Sequence, residues 1–143
     1  MNKSFSLFLE QLKKLNLPKG KFAIFGSGPL GIRNIRDTHD LDLIVDESLF
    51  DEYKNMPSWE FKSFDRDDRH VEMIENSGIE FYKTWGPGDW DTRQLIDNAE
   101  IIDNLPFVKL EEVKKWKKIS GREKDLKDVQ LINEYLEKSQ KQK

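Results

Sequence analysis

Apolar residues near the N-terminus fall at helical spacing. Phe5, Leu7, Phe8, Leu12 and Leu15 predict a helix over 5–15, which Pro18-Lys19-Gly20 stops. The pattern then shortens. Lys21 to Phe25 and Leu41 to Val45 read as strands, and Pro29 to Ile35 between them predicts a short helix with Pro29 in its first turn. Asp46 is placed to cap a helix over 47–56. Trp59–Phe64, His70–Glu75 and Ile79–Thr84 read as further strands, the last two joined by the turn Asn76-Ser77-Gly78. Beyond the break at Gly86-Pro87-Gly88, the pattern predicts a short helix over 92–98 and a short edge strand over 100–102. Two helices, 110–120 and 122–137, follow, hinged at Gly121, with Val129, Ile132 and Leu136 facing the core. Residues 138–143 are expected to fray. No internal repeat or linker interrupts the pattern. The expected fold is α/β (α+β): a short mixed sheet flanked by helices, ending in C-terminal helices, in one domain over 1–143.

Composition narrows this picture. The chain has 143 residues, 36% hydrophobic and 36% charged. That is polar for a globular protein, but the four Trp, three Tyr and nine Phe argue against disorder. The net charge of −3 conceals a split: acids gather between Asp37 and Asp103, and lysines between Lys109 and Lys143. No large uniform basic surface demands a nucleic-acid partner. The absence of cysteine excludes disulfides and thiolate metal sites. No signal peptide is evident, and no run approaches the roughly 20 apolar residues of a membrane span. A soluble cytoplasmic protein is the expectation.

Two candidate motifs then compete. Gly26-Ser27-Gly28-Pro29-Leu30-Gly31 fits the dinucleotide fingerprint G-x-G-x-x-G after an apolar run. Against it, the segment between Gly31 and Asp40 is short for a crossover helix. Asp40 and Asp42 also lie on one side of a strand that a parallel sheet would bury on both faces. The alternative uses both motifs together. Residues i and i+2 of a strand project to the same face, so Asp40 and Asp42 can converge on one hard cation such as Mg²⁺, which takes oxygen ligands and substrate phosphates. Gly26 lets the backbone approach a phosphate closely, Ser27 offers N–H and O–H groups, and the helix start after Gly28 faces the same anion.

The stretch IFGSGPLGIRNIRDTHDLDLIV, an apolar-Gly-Ser turn followed by Asp-apolar-Asp-apolar, resembles the signature of the polymerase-beta-type nucleotidyltransferase superfamily, in particular its minimal single-domain members. The resemblance implies a nucleotidyltransferase fold, with Gly26, Ser27, Asp40 and Asp42 forming the nucleotide and metal motif. It also implies a third carboxylate from a later strand. Glu80, in Gly78-Ile79-Glu80-Phe81-Tyr82, is preferred over Glu72, in Val71-Glu72-Met73. The superfamily commonly has Asp there, so Glu80 is a departure. A second stretch, from Trp116-Lys117 through Gly121-Arg122-Glu123-Lys124-Asp125 to Asp128, is similar to a helical segment of several small nucleotidyltransferases. That similarity implies that Lys117 approaches the triphosphate, helped by Arg122 or Lys124, while Asp125 and Asp128, three apart on a helix, brace these cations.

Together these readings predict a metal-dependent transfer of a nucleoside monophosphate from a nucleoside triphosphate to an acceptor hydroxyl. Asp40, Asp42 and Glu80 would serve as catalytic and metal-binding residues. Gly26, Ser27, Gly28, Arg33, Lys117 and Arg122 would bind the nucleotide. One or two Mg²⁺ ions are expected. The acceptor, a small molecule, a protein or RNA, is open, and so is a protein partner. An inactive nucleotide-binding module, a toxin–antitoxin-type interaction module and a dinucleotide-binding protein are the alternatives. The single histidines His39 and His70 and the loop Trp85–Trp90 carry no assigned chemistry; the loop is expected to pack on the core.

Overall fold

The apolar runs of the chain come together in one mixed sheet. The computed structural model describes residues 1–66 and 69–141. In order, the elements are α1 (Lys3–Leu15), β1 (Phe22–Phe25), α2 (Gly28–Gly31), β2 (Leu41–Val45), α3 (Glu47–Lys54), β3 (Glu60–Arg66), β4 (Arg69–Asn76), β5 (Ile79–Tyr82), α4 (Thr92–Asp97), β6 (Glu100–Ile102), β7 (Leu105–Phe107), α5 (Leu110–Ser120) and α6 (Glu123–Lys141). The seven strands run in the order β3-β4-β5-β2-β1-β7-β6. β2 pairs parallel with β5 and β1 parallel with β7; the remaining neighbours are antiparallel. The protein is thus of the mixed α/β class.

Strand alternation sorts the core into two layers. Phe22 and Ile24 of β1 and Leu41, Leu43 and Val45 of β2 pack with α1 and α3. Ala23, Phe25 and Ile44 face the other way and pack with residues of α4, α5 and α6. Asp42 lies between Leu41 and Leu43, so period two sends it to the α5–α6 face beside Ile44. This parity puts the acids and the C-terminal helices on one side of the sheet.

β1 and β2 are antiparallel, with Phe25 opposite Asp42. A dinucleotide-binding unit needs these two strands parallel with a crossover helix between them, so the G-x-G-x-x-G match is incidental. The helix expected over 29–35 is a single turn, Gly28–Gly31. Asn34, three residues beyond its end, adopts a left-handed φ of 58°, which keeps the chain from continuing as a helix. The chain from there to β2 is held by the first residues of the protein: Asn2 Nδ2 donates to the Thr38 carbonyl at 2.9 Å, and Thr38 N donates to Asn2 Oδ1 at 3.1 Å.

Two further differences concern the C-terminal half. β7 is not expected from the sequence, because Leu105-Pro106-Phe107 is short and contains a proline. It exists because Asp103 and Asn104 both take positive φ, 52° and 63°, the turn that a tight hairpin with β6 requires. The second terminal helix begins at Glu123 and runs through Lys141, beyond the expected end at 137. Of the tail expected to fray, only 142–143 lie outside the described residues. Asp46 caps α3 as expected, accepting from Ser48 N at 2.9 Å. Among the described residues, no helix is long and apolar enough to cross a membrane.

Candidate functional site

Register builds the acidic cluster. β2 pairs with β5 so that Asp42 lies opposite Glu80, and Asp40 precedes β2 by one residue on the same side. Each of the three carboxylates offers an oxygen, and these oxygens all lie within 4.8 Å of one another. Glu72 is not part of the group. Ile74 packs in the α1–α3 layer, so Glu72, two residues away on β4, points to that face and pairs with Lys83 at 3.2 Å.

The cluster lacks the partners that would make it a self-sufficient polar network. Asp42 Oδ1 is buried without a hydrogen-bond donor. Burial, and then the charges of Asp40 and Glu80, hold the Asp42 carboxyl well above the usual carboxylate range. Burial also raises Glu80, against a hydrogen bond from Tyr82 that lowers it; the Tyr82 hydroxyl donates to Glu80 Oε1 at 2.7 Å. An orphaned buried oxygen within a group of like charges is the donor set a hard divalent cation satisfies. Asp40, Asp42 and Glu80 are therefore the residues that could hold a metal ion.

The glycine turn meets this cluster edge-on. Gly26 follows β1 with φ 60°, and a Cβ placed there would lie 2.6 Å from Asp42 Oδ2. Only glycine lets the turn pass so close to the carboxylate. Gly26→Ala is expected to destabilise the fold by about 1–3 kcal/mol and to weaken Mg²⁺ binding by displacing Asp42; thermal unfolding with and without Mg²⁺ reads both effects. The Ser27 hydroxyl beside it shares a short hydrogen bond with the buried Thr38 hydroxyl.

Gly26, Ser27 and the three acids line a cleft of about 730 Å³, within the range of small-molecule sites. Its other wall comes from α5 and α6. Lys117 is only 5% exposed, with its Nζ 2.9 Å from Asp128 Oδ2 and 3.5 Å from Asp125 Oδ1. Arg36 donates to both oxygens of Asp128, at 2.7 and 2.9 Å, and Arg122 Nε donates to Asp125 Oδ2 at 2.8 Å. Burial works to raise both aspartates. Hydrogen bonds from Arg122 and Ser120 and the charge of Lys117 more than offset it at Asp125, whose pKa falls to about 2. Those from Arg36 and Lys117 likewise lower Asp128. Asp125 and Asp128 therefore brace the cations, in keeping with their spacing on α6.

Of the expected nucleotide ligands, Gly26, Ser27, Lys117 and Arg122 line the cleft with Asp40, Asp42 and Glu80. Two do not. Gly28 is a packing glycine, where a Cβ would fall 2.3 Å from Ile24 Cγ2. Arg33 donates to the Pro29 carbonyl at 2.8 Å and to Glu100 at 3.0 Å, because the helix ends early and sends it toward β6. Its place on the cleft is taken by Arg36. His39 is exposed, and His70 contacts Asp65 at 2.9 Å. The tryptophan loop does pack: Trp85 stacks on Phe25 with ring centroids 4.4 Å apart, and Trp90 meets Phe25 edge-on. Trp85 and Trp116 nonetheless also line the cleft. Sequence reasoning misses Tyr82, two positions from Glu80 on the same strand face, and Thr38 with its Asn2 clamp. The first is legible in the period of β5. The second joins residues far apart in the chain and leaves no local signal. No protein-family model, curated protein or solved structure matches this chain.

Proposed function

We propose that this protein is a metal-dependent nucleotidyltransferase that moves a nucleoside monophosphate from a nucleoside triphosphate to an acceptor hydroxyl. The observation that carries the proposal is the convergence of Asp40, Asp42 and Glu80 within 4.8 Å, with Asp42 pressed against the Gly26 turn. In this reading the three carboxylates hold Mg²⁺, one ion or two, and this metal supplies Lewis-acid stabilisation of the charge that develops on the phosphates. Ser27 donates its hydroxyl proton to a phosphate oxygen, and the open backbone at Gly26 admits that phosphate. Lys117, held in place by Asp125 and Asp128, offsets charge on the leaving pyrophosphate, with Arg122 beside it. Glu80 either completes the metal site or accepts the proton of the acceptor hydroxyl. The cytoplasm, where nucleoside triphosphates are plentiful, is the proposed setting.

Titration of ATP, GTP, CTP and UTP into the protein with and without Mg²⁺, beside an Asp40→Asn/Asp42→Asn variant, tests this. At least one triphosphate is expected to bind with Mg²⁺, and the variant to lose that binding. A folded protein that binds none of the four overturns the reading. Binding with no transfer of an α-phosphate label to any acceptor in a cell extract points to a nucleotide-binding module instead.

A further inference from the structure

One edge of the sheet is long and open. β3 ends the strand order. Among the described residues it pairs with β4 alone, in an unbroken register from Glu60 opposite Glu75 to Arg66 opposite Arg69. It has seven residues, with no proline and no bulge. All but Phe64 are exposed, and Phe61 among them leaves 40% of its surface in solvent. The opposite edge, β6, has only three residues. An edge of the length of β3 presents backbone N–H and C=O groups to another strand.

Charged side chains on an edge strand usually deter such pairing. In Glu60-Phe61-Lys62-Ser63-Phe64-Asp65-Arg66 they are ordered so that the strand complements itself. Two copies related by a two-fold axis perpendicular to the sheet pair antiparallel. The same face of each copy then lies on the same side, so only positions of equal parity meet. Opposite charges directly across such a pair attract, and like charges repel. An axis on Lys62 sets that lysine against itself, and an axis on Phe64 sets Lys62 against Arg66. An axis on Phe61 or Asp65 pairs three residues at most. An axis on Ser63 pairs the whole strand. Glu60 then meets Arg66 of the second copy, Lys62 meets Phe64, and Phe61 meets Asp65. Lys62 is also drawn back to Glu75 on β4 at 2.6 Å, which neutralises it in place.

We propose that β3 pairs with β3 of a second copy of this chain, antiparallel about Ser63, and joins the two sheets into one. Arg66 lines the cleft, so the pairing seats Glu60 of the second copy against a residue of the cleft wall. The inference is independent of the nucleotidyltransferase reading.

Sedimentation equilibrium of the full chain over a wide concentration range tests this. The average mass is expected to rise from 16.9 kDa toward twice that value. Glu60→Arg and Arg66→Glu each set like charges opposite one another twice, once on either side of the axis. Each is expected to weaken association by about 10-fold, and the combined exchange Glu60→Arg/Arg66→Glu to restore most of it. Circular dichroism and melting of all three variants are expected to match the parent, since both positions are exposed. A cross-link reads the register. The chain has no cysteine, and Ser63→Cys places two thiols directly opposite, with Cα atoms about 4.5–5.5 Å apart, within disulfide reach. Mild oxidation is expected to yield a covalent dimer of Ser63→Cys but not of Asp65→Cys, which is exposed on the same strand face. A chain that stays monomeric at every concentration overturns the proposal and leaves the edge to a different protein. So does a dimer that the combined exchange fails to restore, or one in which Asp65→Cys cross-links as readily as Ser63→Cys, because either result places the contact elsewhere.

Discussion

Asp42→Asn raises the melting temperature of the metal-free protein at neutral pH and abolishes its response to Mg²⁺. Both effects follow from one carboxylate. Asp42 is buried beside Asp40 and Glu80, and its pKa stands well above 3.8 for those reasons. Between the unfolded value and the raised native value, the native state binds more protons than the unfolded one. Stability contributed by this group therefore falls as pH rises through that interval, and the penalty is full above the native pKa. Glu80, also raised, acts in the same direction. Asparagine removes the charge and keeps the shape, so the variant gains at neutral pH and loses most of the upward trend toward acid. Asp125 acts in a different window: with a native pKa of about 2 against 3.8, its stabilisation is complete above 3.8 and is lost as pH falls through about 2. The two regimes separate on one set of thermal melts.

Under the proposed metal site, Mg²⁺ is expected to reverse the sign in the parent, because a cation that binds only the native state stabilises it by mass action. Removing a direct ligand is expected to weaken Mg²⁺ by more than about 100-fold, since loss of outer partners alone commonly costs about 10–100-fold. Melting curves across pH, with and without Mg²⁺, check each part. A variant that melts below the parent in metal-free buffer, or that still responds to Mg²⁺, would show that the cluster is an ordinary polar surface.

The acidic cluster is largely legible in the sequence because its signal is local. Asp40 and Asp42 share a face through strand period alone, and Gly26-Ser27 ends the strand that pairs with theirs. The third carboxylate is harder. Glu72 and Glu80 both sit between apolar residues, and strand pairing decides which reaches Asp42: β2–β5 sets Asp42 opposite Glu80, and β4–β5, with Ile74 opposite Phe81, turns Glu72 to the other face. Arg33 fails for a related reason. Its assignment rests on closeness to the glycine turn in sequence, but Arg33 pairs with Pro29 and Glu100, while Arg36, beyond the left-handed Asn34, reaches Asp128 on α6. Gly28 answers to side-chain packing on Ile24, which the motif pattern does not encode. β7 is hidden by its brevity and Pro106, although the chain needs it to extend the sheet beyond β1. The basic wall is half visible: lysines crowd the C-terminal third, but which stripe of α6 faces the cleft depends on how the helix docks.

Lys117→Ala should cost about 3–5 kcal/mol of stability, or on the order of 10 °C in melting temperature for a chain of this size. The lysine is 5% exposed between Asp125, which is fully buried, and Asp128, which is nearly so. Its ammonium also lies 4.5 Å from the centre of the Trp116 ring. Truncation leaves two buried carboxylates with Arg36 and Arg122 alone, each reaching from the rim, and removes the stem that packs between helices. If pairing is the cause, Lys117→Met/Asp128→Asn should be less destabilised than the sum of its single changes, with a coupling of about 0.5–3 kcal/mol. Nucleotide binding should separate from stability at low temperature, where the variant remains folded. Mg²⁺ binding at the acids should persist, while triphosphate affinity drops, because the proposed mechanism sets the lysine against the phosphates and the carboxylates against the metal. A Lys117→Ala protein as stable as the parent would mean that Arg36 and Arg122 suffice to neutralise the pair of aspartates. Unchanged triphosphate affinity would assign the lysine to the fold alone.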